Sequence, residues 1–151
     1  MIAYRLCSPK RCPWESSGRA GRWNSEGIPV LYAAASLSLA CLEILVHIRD
    51  ISNIPPLTFT EISIPDELVV PWQQTDGRAA ALIESEVLSR EFGDLCAQRH
   101  PKLTVYAVPS AIIPQETNYL IFPFSVQFSK IGWGEQHPFH LDPRLIDPAR
   151  R

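Results

Sequence analysis

Proline is the residue that most limits what this chain can become. Fourteen of its 151 residues are proline, spread from position 9 to position 148, about 9% against a norm near 5%. Each one holds φ near about −65° and removes a backbone donor, which argues against a coiled coil or a bundle of long helices. Seven glycines are too few for a collagen repeat or a flexible linker. With 46% hydrophobic and 20% charged residues the composition is that of an ordinary globular chain rather than a disordered one. The length suits one domain, expected over residues 1–151, with a core large enough to need no disulfide staples.

Charge and patterning remove further classes. The formal charge is −2 and the isoelectric point about 6.1, so there is no bulk positive field to hold nucleic acid directly. No apolar run reaches the roughly 20 residues a bilayer requires. The longest candidate, 28–48, is interrupted by Tyr32, Ser36, Ser38, Glu43 and His47. The first residues lack the basic-then-apolar order of a secretion signal, so the expected address is the cytoplasm. There Cys7, Cys12, Cys41 and Cys96 would stay as thiols. Neither a dinucleotide-binding glycine fingerprint nor a P-loop is present, and the nucleophile elbow is absent too. Cys7 and Cys12 with His137 and His140 do not have the usual zinc spacing, so no metal is expected.

Periodicity supplies a coarse map. Strands are predicted at 2–7, 28–34 and 57–64, with a loop over 8–22. The clearest helix is 36–50, with Ser36 as N-cap and Leu37, Ala40, Cys41, Ile44, Leu45 and Ile48 at the spacing of one face. A second helix is predicted at 77–92, opened by Asp76 and closed by Gly93 at the C′ position. Further strands are predicted at 103–108, 119–124 and 126–131, with 139–141 as a last short one. Strands and two helices without regular βαβ alternation favour an α+β fold.

Three polar features stand out against that background. In 18–24, glycines flank Arg22, Trp23 and Asn24. Glycine lets a backbone approach a ligand closely and a guanidinium can grip phosphate oxygens, but a solvated turn has the same composition. Tyr32 lies in a strand of small and aliphatic residues, either as core with its hydroxyl satisfied or as a ring presented for stacking. Glu43 is the most informative, because its helix neighbours Leu39, Leu42, Ile44 and Val46 are apolar. A carboxylate there must find a cation, take a proton, or face a cleft. Ser110 by itself reads as a turn hydroxyl bonding its own backbone.

Taken in order, these residues resemble a known family. Gly21-Arg22-Trp23-Asn24, then Gly27-Ile28-Pro29-Val30-Leu31-Tyr32-Ala33-Ala34, then 36–47 with Glu43 inside it, are similar to the RES domain family, named for its Arg, Glu and Ser. Val108-Pro109-Ser110-Ala111 followed by Asn118-Tyr119-Leu120-Ile121 resembles the family's C-terminal motif, and the likeness runs from Tyr4 to about Arg144. Two departures are visible. Phe122-Pro123-Phe124-Ser125 stands where the family often has Asn-Pro and a histidine, and no tryptophan follows Gly93-Asp94.

The resemblance implies a fold like the catalytic domain of ADP-ribosylating toxins, a mixed β-core with flanking helices. It implies the toxin of a type II toxin–antitoxin pair that cleaves the nicotinamide–ribose bond of NAD+ by phosphorolysis or hydrolysis. The alternatives are transfer of ADP-ribose to a protein, or a weakly active module that only binds its antitoxin. Arg22, Tyr32, Glu43 and Ser110 match the motif's catalytic positions, and Trp23, Asn24 and Asn118 would join Arg22, Tyr32 and Ser110 in holding NAD+. NAD+ would be a substrate, with inorganic phosphate as a possible co-substrate and no resident cofactor. The implied partner is a helix-turn-helix antitoxin of the Xre type that covers the active site and alone contacts DNA.

Overall fold

Alternation along the strands decides how the chain layers itself. The computed structural model describes residues 1–48, 54–72, 84–99 and 104–145. Among these, β1 (Ile2–Cys7), β2 (Leu31–Ala34), β3 (Leu57–Ser63), β4 (Val69–Pro71), β5 (Val105–Pro109), β6 (Thr117–Ile121), β7 (Gly132–Trp133) and β8 (His137–Phe139) form one sheet. Its order is β4-β5-β6-β2-β1-β3-β7, with β8 also pairing β3. The β4–β5 pair is parallel and the other pairs are antiparallel. With helices α1 (Leu37–Leu45) and α2 (Glu86–Arg99), the protein has a mixed α+β fold in which helices flank a β-core.

Registers assign each strand residue to a face. Ala3, Leu31, Ala33, Ile62, Val105, Tyr119 and Ile121 share one face and pack under Leu68, Ile131, Phe128 and Trp133. The opposite face carries Tyr4, Leu6, Tyr32, Ala34, Tyr106, Val108, Asn118 and Leu120. Here α1 covers the β1–β2 side, with Leu39 and Ala40 against Leu6 and Ala34. The β5–β6 side is covered by α2, with Phe92 and Cys96 against Tyr106, Val108 and Leu120. The cleft described below lies on this face, lined by residues of β1, β2, α1 and β6.

Strand ends move by two or three residues, as in β2, β6 and β8, and four larger expectations change. The first helix keeps its Ser36 cap, whose hydroxyl accepts the Leu39 N–H at 3.1 Å, but α1 stops at Leu45. Beyond it the His47 and Ile48 N–H groups reach back only three residues, to Ile44 and Leu45, which tightens the turn; position 50 lies outside the described residues. The second helix spans Glu86–Arg99, so Gly93 is interior rather than a C′ residue, and Asp76 lies outside the described residues. Glycine is there because an added Cβ would sit 1.7 Å from the Trp23 carbonyl oxygen.

No strand forms over 126–131. Ser125 is tied to Thr104 at 2.8 Å and accepts the Gln127 N–H, and the chain coils into a 3-10 turn at Phe128–Lys130. Finally, Val69–Pro71, for which the sequence predicts no strand, adds the edge strand β4, where Pro71 sits at the strand's last residue.

Candidate active site

Glu43 resolves its three options by facing a cleft. The α1 residues Ala40, Glu43 and Ile44, with His47 just past the helix end, recur at helical spacing and line a cavity of about 280 Å³. Among the described residues no cation pairs with the Glu43 carboxylate; its Oε1 accepts the Ser110 hydroxyl at 2.8 Å and the Asn118 Nδ2 at 2.5 Å. Ser110 is fully buried, and its oxygen also accepts the N–H groups of Ile112 at 3.0 Å and Ile113 at 3.1 Å. A hydroxyl has two lone pairs and one proton. With both lone pairs taken by backbone donors, that proton is directed at Glu43. The sequence-level reading of Ser110 as a turn hydroxyl therefore describes only half of its bonding.

Why these groups meet follows from register. Asn118 pairs with Ala34 across β2–β6 and with Val108 across β5–β6, which sets its side chain on the face beneath α1. Its Nδ2 reaches Glu43, while its buried Oδ1 has no hydrogen-bond partner among the described residues.

The opposite lip is a loop. Gly21, Arg22 and Trp23 line the cavity together with Tyr32. The Tyr32 hydroxyl donates to Asn24 Oδ1 at 2.5 Å and accepts the Trp23 N–H at 3.2 Å. Burial pushes the phenol up to about 12, outweighing the opposing effect of the Trp23 N–H, so Tyr32 is neutral through the physiological range. Asn24 is almost wholly buried, and its Nδ2 donates to the carbonyls of Arg19, Ser25 and Ile28 at 2.9, 3.0 and 3.0 Å. It is a brace inside the loop and does not line the cavity. Gly21 has to be bare, because a Cβ would stand 2.7 Å from the Tyr32 hydroxyl.

Two cleft residues escaped the sequence reading. Strands β1 and β2 share a single register pair, Tyr4 with Ala34, and the Tyr32 carbonyl is taken instead by Arg5 Nη1 at 2.9 Å. The Arg5 Nε is buried with no hydrogen-bond partner among the described residues, and burial draws the guanidinium below its usual range while it stays a cation. The available signal was an arginine inside the otherwise apolar strand Ile-Ala-Tyr-Arg-Leu-Cys. His47 was visible only as a polar break in an apolar run. The cavity thus has cations from Arg5 and Arg22 and one carboxylate, Glu43. Among the described residues no group of three or more His, Cys, Asp or Glu is placed to hold a metal ion, and no helix is long and apolar enough to cross a membrane.

A helix-borne carboxylate thus faces an aromatic and guanidinium loop across the cleft. The RES domain model matches residues 3–142, and the chain belongs to that family. It is 36% identical over 135 residues to the "Prs ADP-ribosylating toxin" of Sphingobium sp. strain YBL2, covering 85% of this chain and 82% of that protein. A "Toxin Res" from Photorhabdus laumondii is 32% identical, with 97% of each chain covered. Among solved structures, a chain in the crystal structure of the M. tuberculosis MbcT–MbcA toxin–antitoxin complex superposes with a TM-score of 0.74. That match covers 95% of this chain and 85% of the other at 16% identity, a likeness of fold.

Proposed function

We propose that the chain is a single RES-type domain acting as the toxin of a toxin–antitoxin pair, and that it breaks the bond between nicotinamide and ribose in NAD+. The observation that carries this reading is the Glu43 carboxylate, set in a largely apolar helix, unpaired by any described cation, and oriented by Ser110 and Asn118 at the cleft. Relatives named as toxins, one of them ADP-ribosylating, support the class.

The chemistry suits the residues. Nicotinamide leaves as a neutral molecule, so the reaction needs no strong general acid. Positive charge grows on the ribose as the bond stretches, toward an oxocarbenium-like state. A carboxylate fixed beforehand in a partly dry site stabilises that charge without having to reorganise. Glu43 performs this role, and hydrogen bonds through Oε1 leave Oε2 for the ribose hydroxyls. Arg22 and Arg5 draw in the pyrophosphate, while Tyr32 offers a flat surface for the departing ring; the Trp23 ring, expected to help hold NAD+, is instead buried against Phe92. Asn118 lines the cavity and bonds Glu43, whereas Ser110 and Asn24 stand off the lining and serve the site through Glu43 and Tyr32. The cavity is near the lower end of ligand-site volumes, about 300 Å³. It suits the nicotinamide riboside end, with the adenosine end reaching past the rim. The acceptor of ADP-ribose is phosphate or water. The name of the Sphingobium relative favours a second reading, in which a protein side chain is the acceptor. The partner is an antitoxin that covers the cleft, a pairing supported by the fold shared with a chain of the MbcT–MbcA complex.

The test is to incubate the purified chain with NAD+ and measure nicotinamide release with phosphate, without phosphate, and with cell extract as a source of acceptor protein. Release identifies the enzyme, and the mass of the ADP-ribose product identifies the acceptor. No release under any of the three conditions removes the catalytic reading and leaves an antitoxin-binding module.

A further inference from the structure

The loop that carries Arg22 closes a single turn of its own, the Gly21 N–H donating to the Asn24 carbonyl at 3.0 Å, and Gly21, Trp23 and Ser25 are each fastened to one turn of α2. Arg90 Nε donates to the Gly21 carbonyl at 3.2 Å. The backbone of Gly93 lies directly against the Trp23 carbonyl, where a Cβ would come within 1.7 Å of the oxygen, and the Trp23 ring meets Phe92 edge-on. Asp94 accepts the Ser25 N–H on Oδ1 at 2.9 Å and the Ser25 hydroxyl on Oδ2 at 2.5 Å. Positions 90, 93 and 94 form one helical stripe, and they meet Gly21, Trp23 and Ser25. Arg22 between them lines the cleft, as Gly21 and Trp23 also do, and Asn24 bonds the Tyr32 hydroxyl. Arg90, Gly93 and Asp94 do not themselves line the cavity. Glycine is disfavoured inside a helix, so its presence at 93 fits this close approach.

We propose that Asp94, with Arg90 and Gly93, is a positioning site through which α2 sets the grip of the Arg22–Tyr32 lip on the substrate. Its substrate assignment rests on the NAD+ reading above; the clamp itself rests on the contacts just described. Glu43 takes its hydrogen bonds from β6 and from the residue after β5. Loosening the clamp therefore disturbs substrate capture and leaves the carboxylate in place.

The experiment compares wild type with Asp94→Ala, Asp94→Asn, and Ser25→Ala with Asp94→Ala combined. For Asp94→Ala, KM for NAD+ rises about tenfold while kcat stays within about threefold, since misplacing a positioning group costs on that order. The double variant is no worse than Asp94→Ala, because Asp94→Ala already removes both bonds to Ser25. Asn, which keeps an acceptor for the Ser25 N–H, restores most of the lost affinity. A fall in melting temperature or in active fraction with KM unmoved would overturn the proposal, because a merely structural residue behaves that way. Amide hydrogen exchange supplies a readout independent of turnover: in Asp94→Ala, exchange quickens across 21–25 and stays unchanged across α1. Unaltered protection of 21–25 ends the proposal even if NAD+ is consumed normally. If wild type releases no nicotinamide, the NAD+ reading falls. The exchange result then decides the clamp alone, upheld by loosening confined to the loop and refuted by its absence.

Discussion

The two lips of the cleft are built by opposite means. On one, strand β6 and the residue after β5 deliver side chains that converge on a single oxygen of the helix-borne Glu43, and the bonds that matter run between side chains. On the other, an irregular loop is held mainly through its backbone, by Arg90, Gly93, Asp94 and the Tyr32 hydroxyl. The first lip fixes a charge and the second fixes a shape. A charge needs few but well-aimed partners, whereas a loop needs many attachments to offset its conformational entropy.

Substitutions can break or sharpen that contrast. The largest effect belongs to Glu43→Gln, which keeps the shape and the hydrogen-bond acceptor but removes the charge. The rate of nicotinamide release should fall by about two to three orders of magnitude with circular dichroism and melting temperature nearly unchanged. NAD+ consumption at the wild-type rate would remove the charge from the argument.

Gly93→Ala strikes the other lip. A methyl at that position would overlap the Trp23 carbonyl, so either the helix or the loop must shift, and overpacking of this kind costs about 1–3 kcal/mol or more. Denaturant unfolding should show the loss. Wild-type stability would mean that helix and loop are not in backbone contact.

Tyr32→Phe is next. It strands the Trp23 N–H and the Asn24 Oδ1 without their partner, a cost of about 1–3 kcal/mol where such groups stay dry. The same hydroxyl gives a pH signature. Its folded value is raised to about 12 from a usual 10.0, so its stabilising contribution is complete below the unfolded value and is lost as pH climbs between the two. Alkaline unfolding should therefore begin near that window in wild type and lose this component in Tyr32→Phe. Superimposable alkaline profiles would contradict the assignment. The smallest effect is Ser36→Ala, which removes the cap of α1 and should lower unfolding free energy by about 1 kcal/mol, with release of nicotinamide only slightly slower. A drop in rate as large as that of Glu43→Gln would show that the carboxylate depends on the helix start more than on Ser110 and Asn118.

The sequence announced Glu43 because a carboxylate in an apolar helix is costly unless it has a use, and α1 with its Ser36 cap followed from periodicity and capping alone. It also disclosed the α+β class, since proline excluded long helices and the strand patterns lacked βαβ alternation. Arg5 stayed hidden because its place depends on β1 and β2 parting after one register pair, a matter of how strands from distant segments meet. Gly93 was misread for the same reason: glycine near the end of an apolar pattern looks like a helix stop, and only the tertiary contact with Trp23 makes it an interior residue. Local rules follow from the chain's own backbone and nearest neighbours, so they can be read in one dimension. Which oxygen meets which donor across 67 residues, as with Ser110 and Glu43, is decided only when the sheet closes its registers and brings the two ends of that separation together.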